Sequence, residues 1–245
     1  EASLTVKKLA NNYAEITSGA AHYKIVGMAP EEFPKLPKEE NAPLVKVTGT
    51  TLLEMIKRTS FAISHDETRY ILNGVYFEPR EGGKVRMVAT DGHRLAMVER
   101  ELTGDFKLKG GVIIPRKGLF ELKRLLDEAP DAECQLGFAE NSALFKKPGL
   151  SMVMRLIDGQ FPDYQRVIPK ESDRQLLVNR ARFHDMLKRI ALLSSDKSNA
   201  VKLSLSENLL RITANNPDLG EAKDDLEVAY RGGSLTVGFN ARYLM

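Results

Sequence analysis

The stretch LLEMIKRTSFAIS (residues 52–64) recurs later in the chain as FHDMLKRIALLSS (residues 183–195). In the second copy Phe183, Met186 and Leu187 begin an apolar series with the i, i+3, i+4 spacing that places side chains on one face of a helix. The first copy shares this pattern. The repeated stretch therefore predicts an amphipathic helix that occurs at least twice and packs one face against a core.

The segments around this helix repeat as well. NGVYFEPREGGKVRMVATD from Asn73 aligns with NAVKLSLSENLLRITANNP from Asn199, and GVIIPRKGLFEL from Gly111 aligns with SLTVGFNARYLM from Ser234. AAHYKIVGMAPEEFPKLPKE near the start resembles LSMVMRLIDGQFPDYQRVIPKE, and both contain a Phe-Pro pair. A unit of about 125 to 130 residues therefore recurs, which is the pattern of a chain built from repeated domains.

The repeat predicts three domains of one kind. Residues 1–40 are expected to be the C-terminal part of a first domain, residues 45–171 a complete second domain, and residues 175–245 the beginning of a third. Each unit is itself double, because a Lys-Arg pair on an amphipathic stretch recurs at about half the period. We expect an α+β fold in which each complete domain packs two helices against antiparallel sheets.

Local patterns refine these expectations. Thr51 and Glu54 have the spacing of a capping box, which predicts the start of the first helix. Val85, Met87 and Ala89 alternate with their neighbours at the period of two that is typical of a half-buried strand.

Composition narrows the classes of protein that the chain can represent. Its 245 residues are 42% hydrophobic and 28% charged, with a formal net charge of +3. No apolar run is long enough for a membrane span, and Cys134 is the single cysteine, which excludes an internal disulfide and suits a reducing cytoplasm. The four histidines lack the spacing of a metal site, and no phosphate-binding loop is present, so we expect neither metal nor cofactor.

The recurring Lys-Arg pairs admit two interpretations. They can lie on solvated helix faces, because Glu54 and Asp185 stand one turn before Arg58 and Arg189 at salt-bridge spacing. They can also form a common basic surface that binds DNA phosphates without reading base sequence. The candidate DNA-binding residues are Lys57, Arg58, Arg69, Tyr70, Arg116, Lys117, Lys123, Arg124, Lys188 and Arg189.

The stretch VATDGHRLA (residues 88–96) contains an aspartate, a histidine and an arginine close together. Asp-Gly after a strand is typical of a turn, and the repeated counterpart ITANNP keeps the turn but lacks those three side chains. The difference between the copies indicates a binding site added to one of them. A DNA-processing hydrolase that uses Asp91 and His93 is one alternative, and a repeat scaffold that binds proteins without DNA is another.

ATDGHRLA, VIIPRKGLFEL, IDGQFPDYQRVIPK and ITANNP together resemble the β subunit of bacterial DNA polymerase III, the sliding-clamp family, over essentially the whole chain. The resemblance implies a non-catalytic processivity factor, in which two chains of three similar domains close head to tail into a homodimeric ring around duplex DNA. Helices would line the hole and sheets would face outward. Ile71 stands where some members of the family have a second tyrosine beside Tyr70.

The resemblance also implies a groove between the second and third domains for short linear motifs. Its partners would be the DNA polymerase III α subunit, the clamp loader, other polymerases and repair proteins. Carried over position by position, the groove residues are Leu72, Thr90, Gly92, His93, Arg94, Leu95, Pro162, Arg166, Val167, Asn240 and Tyr243. In the family, a C-terminal tail that follows the position of Met245 completes this groove.

Overall fold

The computed structural model describes residues 3–33, 42–102, 104, 106, 108, 110–172, 174–195 and 198–245. The chain divides between Phe161 and Pro162 into two compact units. This division places residues 162–171 in the second unit, although the repeat assigned them to the end of the second domain. Part of the predicted first domain, residues 34–40, lies outside the described residues, so the three-domain organisation stays a prediction.

The first unit opens with a three-stranded antiparallel sheet in the order β1-β2-β3. Its strands are β1 (Thr5–Lys8), β2 (Tyr13–Ser18) and β3 (Ala21–Val26). None of the described side chains in these strands is buried, and Val6 and Val26 are 62% and 72% exposed. The apolar core of the unit is formed by the later elements.

The rest of the first unit contains two helices and two four-stranded antiparallel sheets, in the orders β7-β6-β5-β8 and β11-β10-β9-β4. The elements are β4 (Val45–Val47), α1 (Gly49–Thr59), β5 (Gly74–Arg80), β6 (Lys84–Thr90), β7 (Leu95–Glu101), β8 (Val112–Pro115), α2 (Arg116–Glu128), β9 (Cys134–Ala139), β10 (Ser142–Lys147) and β11 (Leu150–Arg155). The double character of the repeat is therefore visible as two successive groups of one strand, one helix and three strands.

The two halves exchange their first strands. β4, which opens the first half, pairs with β9 of the second half through Val45 and Leu136. β8, which opens the second half, pairs with β5 of the first half through Val75 and Ile114. Because each sheet needs a strand from the other half, the two halves form one cooperative unit.

Both helices bury their apolar faces against these sheets. Met55 and Ile56 of α1 and Leu119 and Leu122 of α2 are fully buried in one core. Phe77 lies in the same core between two further phenylalanine rings. The alternation predicted for β6 is confirmed for Val85, Met87 and Ala89, which belong to this core, but Val88 on the opposite face is fully buried as well. The spacing of apolar residues in the sequence thus predicts the buried face of each helix correctly.

The second unit repeats the arrangement of the first half. Its elements are α3 (Arg180–Ala191), β12 (Ala200–Ser206), β13 (Leu209–Asn216), β14 (Gly220–Glu227), β15 (Leu235–Asn240) and the short α4 (Ala241–Leu244). The sheet order β14-β13-β12-β15 matches β7-β6-β5-β8. Met186, Leu187 and Ile190 of α3 pack on this sheet in a core of their own. The predicted α+β fold with antiparallel sheets is confirmed.

The capping box predicted at Thr51 and Glu54 is wrong. Helix α1 begins earlier, at Gly49, with Thr48 as its N-cap residue and without a side-chain capping bond. Glu54 instead accepts hydrogen bonds from Arg58, one turn later, and from Arg100 on β7. The carboxylate thus bonds to one arginine on its own helix and one distant in sequence, and not to the helix start as its spacing suggested.

Candidate functional site

The corner between β6 and β7, residues 90–95, is shaped by its own side chains. One carboxylate oxygen of Asp91, Oδ1, accepts hydrogen bonds from the backbone N–H groups of His93 at 2.9 Å and Arg94 at 3.0 Å. The Thr90 hydroxyl donates to the Arg94 carbonyl at 2.7 Å and accepts the Gly92 N–H at 3.1 Å. Gly92 has a φ of +87°, a conformation that favours glycine. The predicted turn is confirmed, and Asp91 and Thr90 hold it together.

Arg94 is held in place by three different groups. Its Nε donates to Asp91 Oδ2 at 3.2 Å, and its Nη2 donates to the backbone carbonyl of Phe61 at 2.7 Å. The guanidinium also lies 5.5 Å from the centre of the Phe61 ring, in cation–π geometry. A side chain with so many restraints presents its charge in a fixed direction, which suits the recognition of a ligand.

Asp91 lacks the properties of a general base. Burial by itself would raise the pKa of its carboxyl, but hydrogen bonds from the backbones of His93 and Arg94 and the Arg94 guanidinium outweigh burial, so the pKa lies below its ordinary value. A catalytic base at neutral pH needs a raised pKa and an oxygen that is available to the substrate. The geometry therefore argues against the hydrolase alternative based on Asp91 and His93.

The Asp91 network predicts a pH-dependent contribution to stability. The folded-state pKa is lowered, so the stabilisation is complete above the ordinary value of 3.8 and is lost as the pH falls through the lowered value. At neutral pH, Asp91→Ala is expected to lower the free energy of unfolding by about 1–3 kcal/mol. Urea unfolding measured from neutral to acidic pH would show the difference between the variant and the parent shrinking as the carboxyl is protonated. Asp91→Asn, which keeps an acceptor oxygen, is the conservative control, and a difference independent of pH would contradict the assignment.

The two remaining predicted groove residues of the first unit, Leu72 and Leu95, are buried and half-buried. Leu72 ends the 3₁₀ segment Glu67–Leu72 and is only 7% exposed, so it serves first as part of the core. The same segment reaches the corner through Arg69, whose Nη1 donates to the Asp91 carbonyl at 3.5 Å. Leu95 begins β7 and is half-buried.

In the second unit the predicted groove residues lie in two places. Arg166 and Val167 belong to the 3₁₀ turn Tyr164–Val167, and Val167 is 68% exposed. Arg166 forms an ion pair with Asp163 at 2.8 Å. Asn240 is the N-cap of α4, where its side chain accepts the Arg242 N–H at 2.9 Å. Pro162 and Tyr243, the other two predicted groove residues of this unit, are both exposed. Pro162 lies at the start of the unit in sequence, and Tyr243 lies near its end.

Sequence reasoning predicted a turn at Asp91 but left Asp91 out of the groove residues, and it did not identify Phe61. Asp91 stands inside the stretch that drew attention, and its i+2 and i+3 spacing to His93 and Arg94 is a recognisable turn signal. Phe61 lies 33 positions before Arg94, and it restrains the Arg94 guanidinium partly through its backbone carbonyl. No local pattern identifies such a partner.

Four of the eight candidate basic residues on the helices are paired with acids among the described residues. Lys57 Nζ lies 2.7 Å from Asp127 Oδ1, and Arg58 Nε lies 2.7 Å from Glu54 Oε1. Arg124 is flanked by Glu121 and Glu128 on its own helix, and hydrogen bonding to Glu121 contributes most to raising the pKa of its guanidinium. The interpretation of these faces as salt-bridged helix surfaces is therefore correct for three of the predicted DNA-binding residues.

The second unit follows the same pattern with one difference. The expected pair between Asp185 and Arg189 does not form, because the Arg189 guanidinium reaches across to Asp224 on β14 at 2.6 Å. Within the described residues, no ion pair joins an acid to the lysines Lys117, Lys123 or Lys188.

Two candidate DNA-binding positions begin α2. Arg116 Nη1 donates to His65 Nδ1 at 2.8 Å, and its guanidinium lies 5.4 Å from the centre of the Phe120 ring. Arg116 and Lys117 line an open cavity of about 730 Å³ beside that ring. Earlier in the chain, Arg69 lies 3.5 Å from Asp66 and Tyr70 is 58% exposed.

Neither a metal cluster nor a membrane-crossing helix occurs in the part of the chain that the structure describes. This part contains no group of three or more His, Cys, Asp or Glu side chains placed to hold a metal ion. None of its helices combines the length and apolar character that crossing a membrane requires.

Comparison with known sequences identifies the family. The family profile described as DNA polymerase III beta subunit, central domain, matches residues 46–163, and the profile described as its C-terminal domain matches residues 165–245. This chain belongs to the DNA polymerase III β-subunit family. The two matches meet where the structure divides into its two units, and the resemblance seen in the motifs is confirmed.

Individual members of the β-subunit family agree with the profiles. The beta sliding clamps of Pseudomonas aeruginosa and Escherichia coli K12 are each 36% identical over 230 residues, which cover 94% of this chain and 62% of the relative. The crystal structure of a DnaN sliding clamp from Bartonella birtlesii bound to griselimycin superimposes with a TM-score of 0.91 at 38% identity. It matches 99% of this chain and 66% of that clamp. The chain thus spans slightly less than two thirds of the β subunits that it resembles.

Proposed function

We propose that the protein represented by this chain is a DNA sliding clamp. It encircles duplex DNA without reading sequence, slides along it, and tethers the replicative polymerase, with no catalysis of its own. Membership of the β-subunit family carries this proposal. The repeated helix-and-sheet unit supports it, because repeated domains can present basic helices of the same kind around one axis.

The ring follows as part of the proposal. Two full-length chains close head to tail into a homodimer, and the closed ring retains DNA topologically, so weak phosphate contacts suffice. Ion-paired basic residues such as Lys57 and Arg124 are compatible with such weak contacts. We place the protein in the cytoplasm, where the replication machinery of a bacterium acts.

Retention on circular DNA tests the clamp proposal. The full-length protein is loaded on a nicked circular duplex by the clamp loader of the same organism, and the DNA is then linearised. We expect retention on the circle in high salt and loss after linearisation, because a ring can slide off an end. Equal retention on both DNA forms would contradict encirclement. Binding of partner proteins without any retention on the circle would favour the scaffold alternative.

A second part of the proposal concerns peptide binding. We propose that the corner at residues 90–95 binds short linear motifs, and that exposed residues of the second unit do so as well. Partners would be the polymerase α subunit, the clamp loader, other polymerases and repair proteins. The restrained guanidinium of Arg94 and the exposed Val167 side chain support this role, since a peptide groove combines a few fixed polar groups with apolar surface.

Val167→Asp tests the peptide-binding proposal. A carboxylate in an apolar contact must be desolvated on binding, so we expect affinity to fall by about tenfold or more. The probe is a panel of overlapping peptides from the polymerase α subunit of the same organism, titrated by fluorescence anisotropy against the full-length protein. Leu219→Asp is the matched control, because Leu219 is 65% exposed in the same unit and is not a predicted groove residue. Equal affinities of the two variants would refute the assignment of Val167.

A further inference from the structure

Apart from Arg116, which bonds to His65, the basic residues of α1 and α2 fall into two electrostatic classes. Lys57, Arg58 and Arg124 each contact a carboxylate of their own unit. For Lys117 and Lys123, by contrast, the described residues supply no acid partner in an ion pair. The sequence shows the cations alone, whereas the structure shows which of them are already neutralised.

The pair between Lys57 and Asp127 differs from the others in its geometry. It joins the last turn of α1 to the last turn of α2, across 70 positions of sequence, with 2.7 Å between Nζ and Oδ1. Both side chains are about half exposed, at 49% and 45%. Exposed pairs of this kind contribute little to folding stability, so a packing role does not account for the arrangement well. The pair does have an electrostatic consequence, because the Asp127 carboxylate offsets one positive charge on the helix faces.

We propose that Asp127 limits the DNA affinity of this protein by acting as an intramolecular counterion for Lys57. This inference rests on the proposed function, in which the helix faces lie against DNA. A cation that contacts phosphate increases affinity by displacing counterions from the DNA. A lysine already neutralised by a carboxylate loses that pair on contacting phosphate, so it adds little net affinity. Low affinity suits a protein that must slide, since each phosphate contact must break at every step.

The salt dependence of DNA binding tests the proposal through a double-mutant cycle. The full-length protein and its Asp127→Asn, Lys57→Gln and doubly substituted variants are titrated against a labelled duplex by anisotropy at several salt concentrations. Asp127→Asn is expected to strengthen binding and to steepen the plot of log association constant against log salt by about 0.9 for each additional phosphate contact, and so by up to about 1.8 in a ring of two chains. In the Lys57→Gln background the same substitution is expected to leave the slope unchanged.

The controls separate a specific pair from a general charge effect. Glu133→Gln removes a carboxylate that pairs with Lys46 on a strand, at 3.4 Å and with both side chains largely exposed, so its slope should equal that of the parent. Thermal unfolding verifies that all variants fold alike, as the exposure of the pair predicts. An equal change of slope in both Lys57 backgrounds would overturn the proposal, as would an unchanged slope for Asp127→Asn. If the parent showed no salt-dependent DNA binding, this proposal would be overturned, whereas the clamp function is tested separately by retention on circular DNA.

Discussion

Replacing Phe77 with alanine is expected to lower the unfolding free energy of the first unit by about 3–5 kcal/mol. The Phe77 ring is fully buried on β5, 5.2 Å from the Phe106 ring and 5.0 Å from the Phe138 ring. Phe77 therefore fills the space between one neighbour that follows β7 in the chain and another from β9. Alanine would leave a cavity that β9 cannot close without breaking its backbone pairing with β4 and β10.

Urea unfolding followed by circular dichroism measures this effect. Phe61→Ala is the matched control, because Phe61 is 54% exposed and contacts Arg94 through its ring face. Its loss is expected to cost about 1 kcal/mol or less. If Phe77→Ala cost no more than this control, the aromatic cluster would not be a major source of stability.

Reversing the charges of Lys117 and Lys123 together is expected to weaken DNA binding by about tenfold or more. These two lysines lie on α2, and the described structure provides neither with an ion pair, so their charges remain available to phosphate. The slope of log association constant against log salt should become shallower by about 0.9 for each phosphate that the variant no longer neutralises. The measurement is anisotropy with a labelled duplex and the full-length Lys117→Glu, Lys123→Glu variant.

The matched control carries the same change of net charge at other positions. Lys46 on β4 and Lys84 on β6 are exposed strand residues, and their joint replacement by glutamate should leave DNA affinity within about twofold of the parent, since they lie outside the helix faces. An equal loss of affinity in both double variants would mean that net charge alone governs binding. An unaffected Lys117, Lys123 variant would support the scaffold alternative.

The helices and the turn could be predicted because their causes are local. The buried face of α3 follows from the spacing of Met186, Leu187 and Ile190, and the corner at Asp91 follows from a short hydrogen-bonding pattern within three residues. The start of α1 could not be predicted in this way. Glu54 has two arginine partners in the folded unit, and one of them, Arg100, is 46 positions away.

The candidate site was only partly accessible to sequence reasoning. The motif at residues 88–96 was recognisable, but the restraint of Arg94 by the Phe61 carbonyl was not. Likewise, a Lys-Arg pair on a helix indicates a basic face, although Lys57 turns out to be neutralised by Asp127 on another helix. Which charges stay available depends on neighbours that the fold brings together.

By itself, then, the sequence determined the repeated unit, its amphipathic helices and the turn after β6, because hydrophobic period and short-range hydrogen bonding act between residues close in the chain. The tertiary structure alone decided the exchange of β4 and β8 between the halves and the partners of Lys57 and Arg189. Strand order and ion pairing depend on contacts between residues distant in sequence. Many arrangements of the same helices and strands satisfy the hydrophobic period and the short-range hydrogen bonds. Only the packing of the whole unit selects one of them.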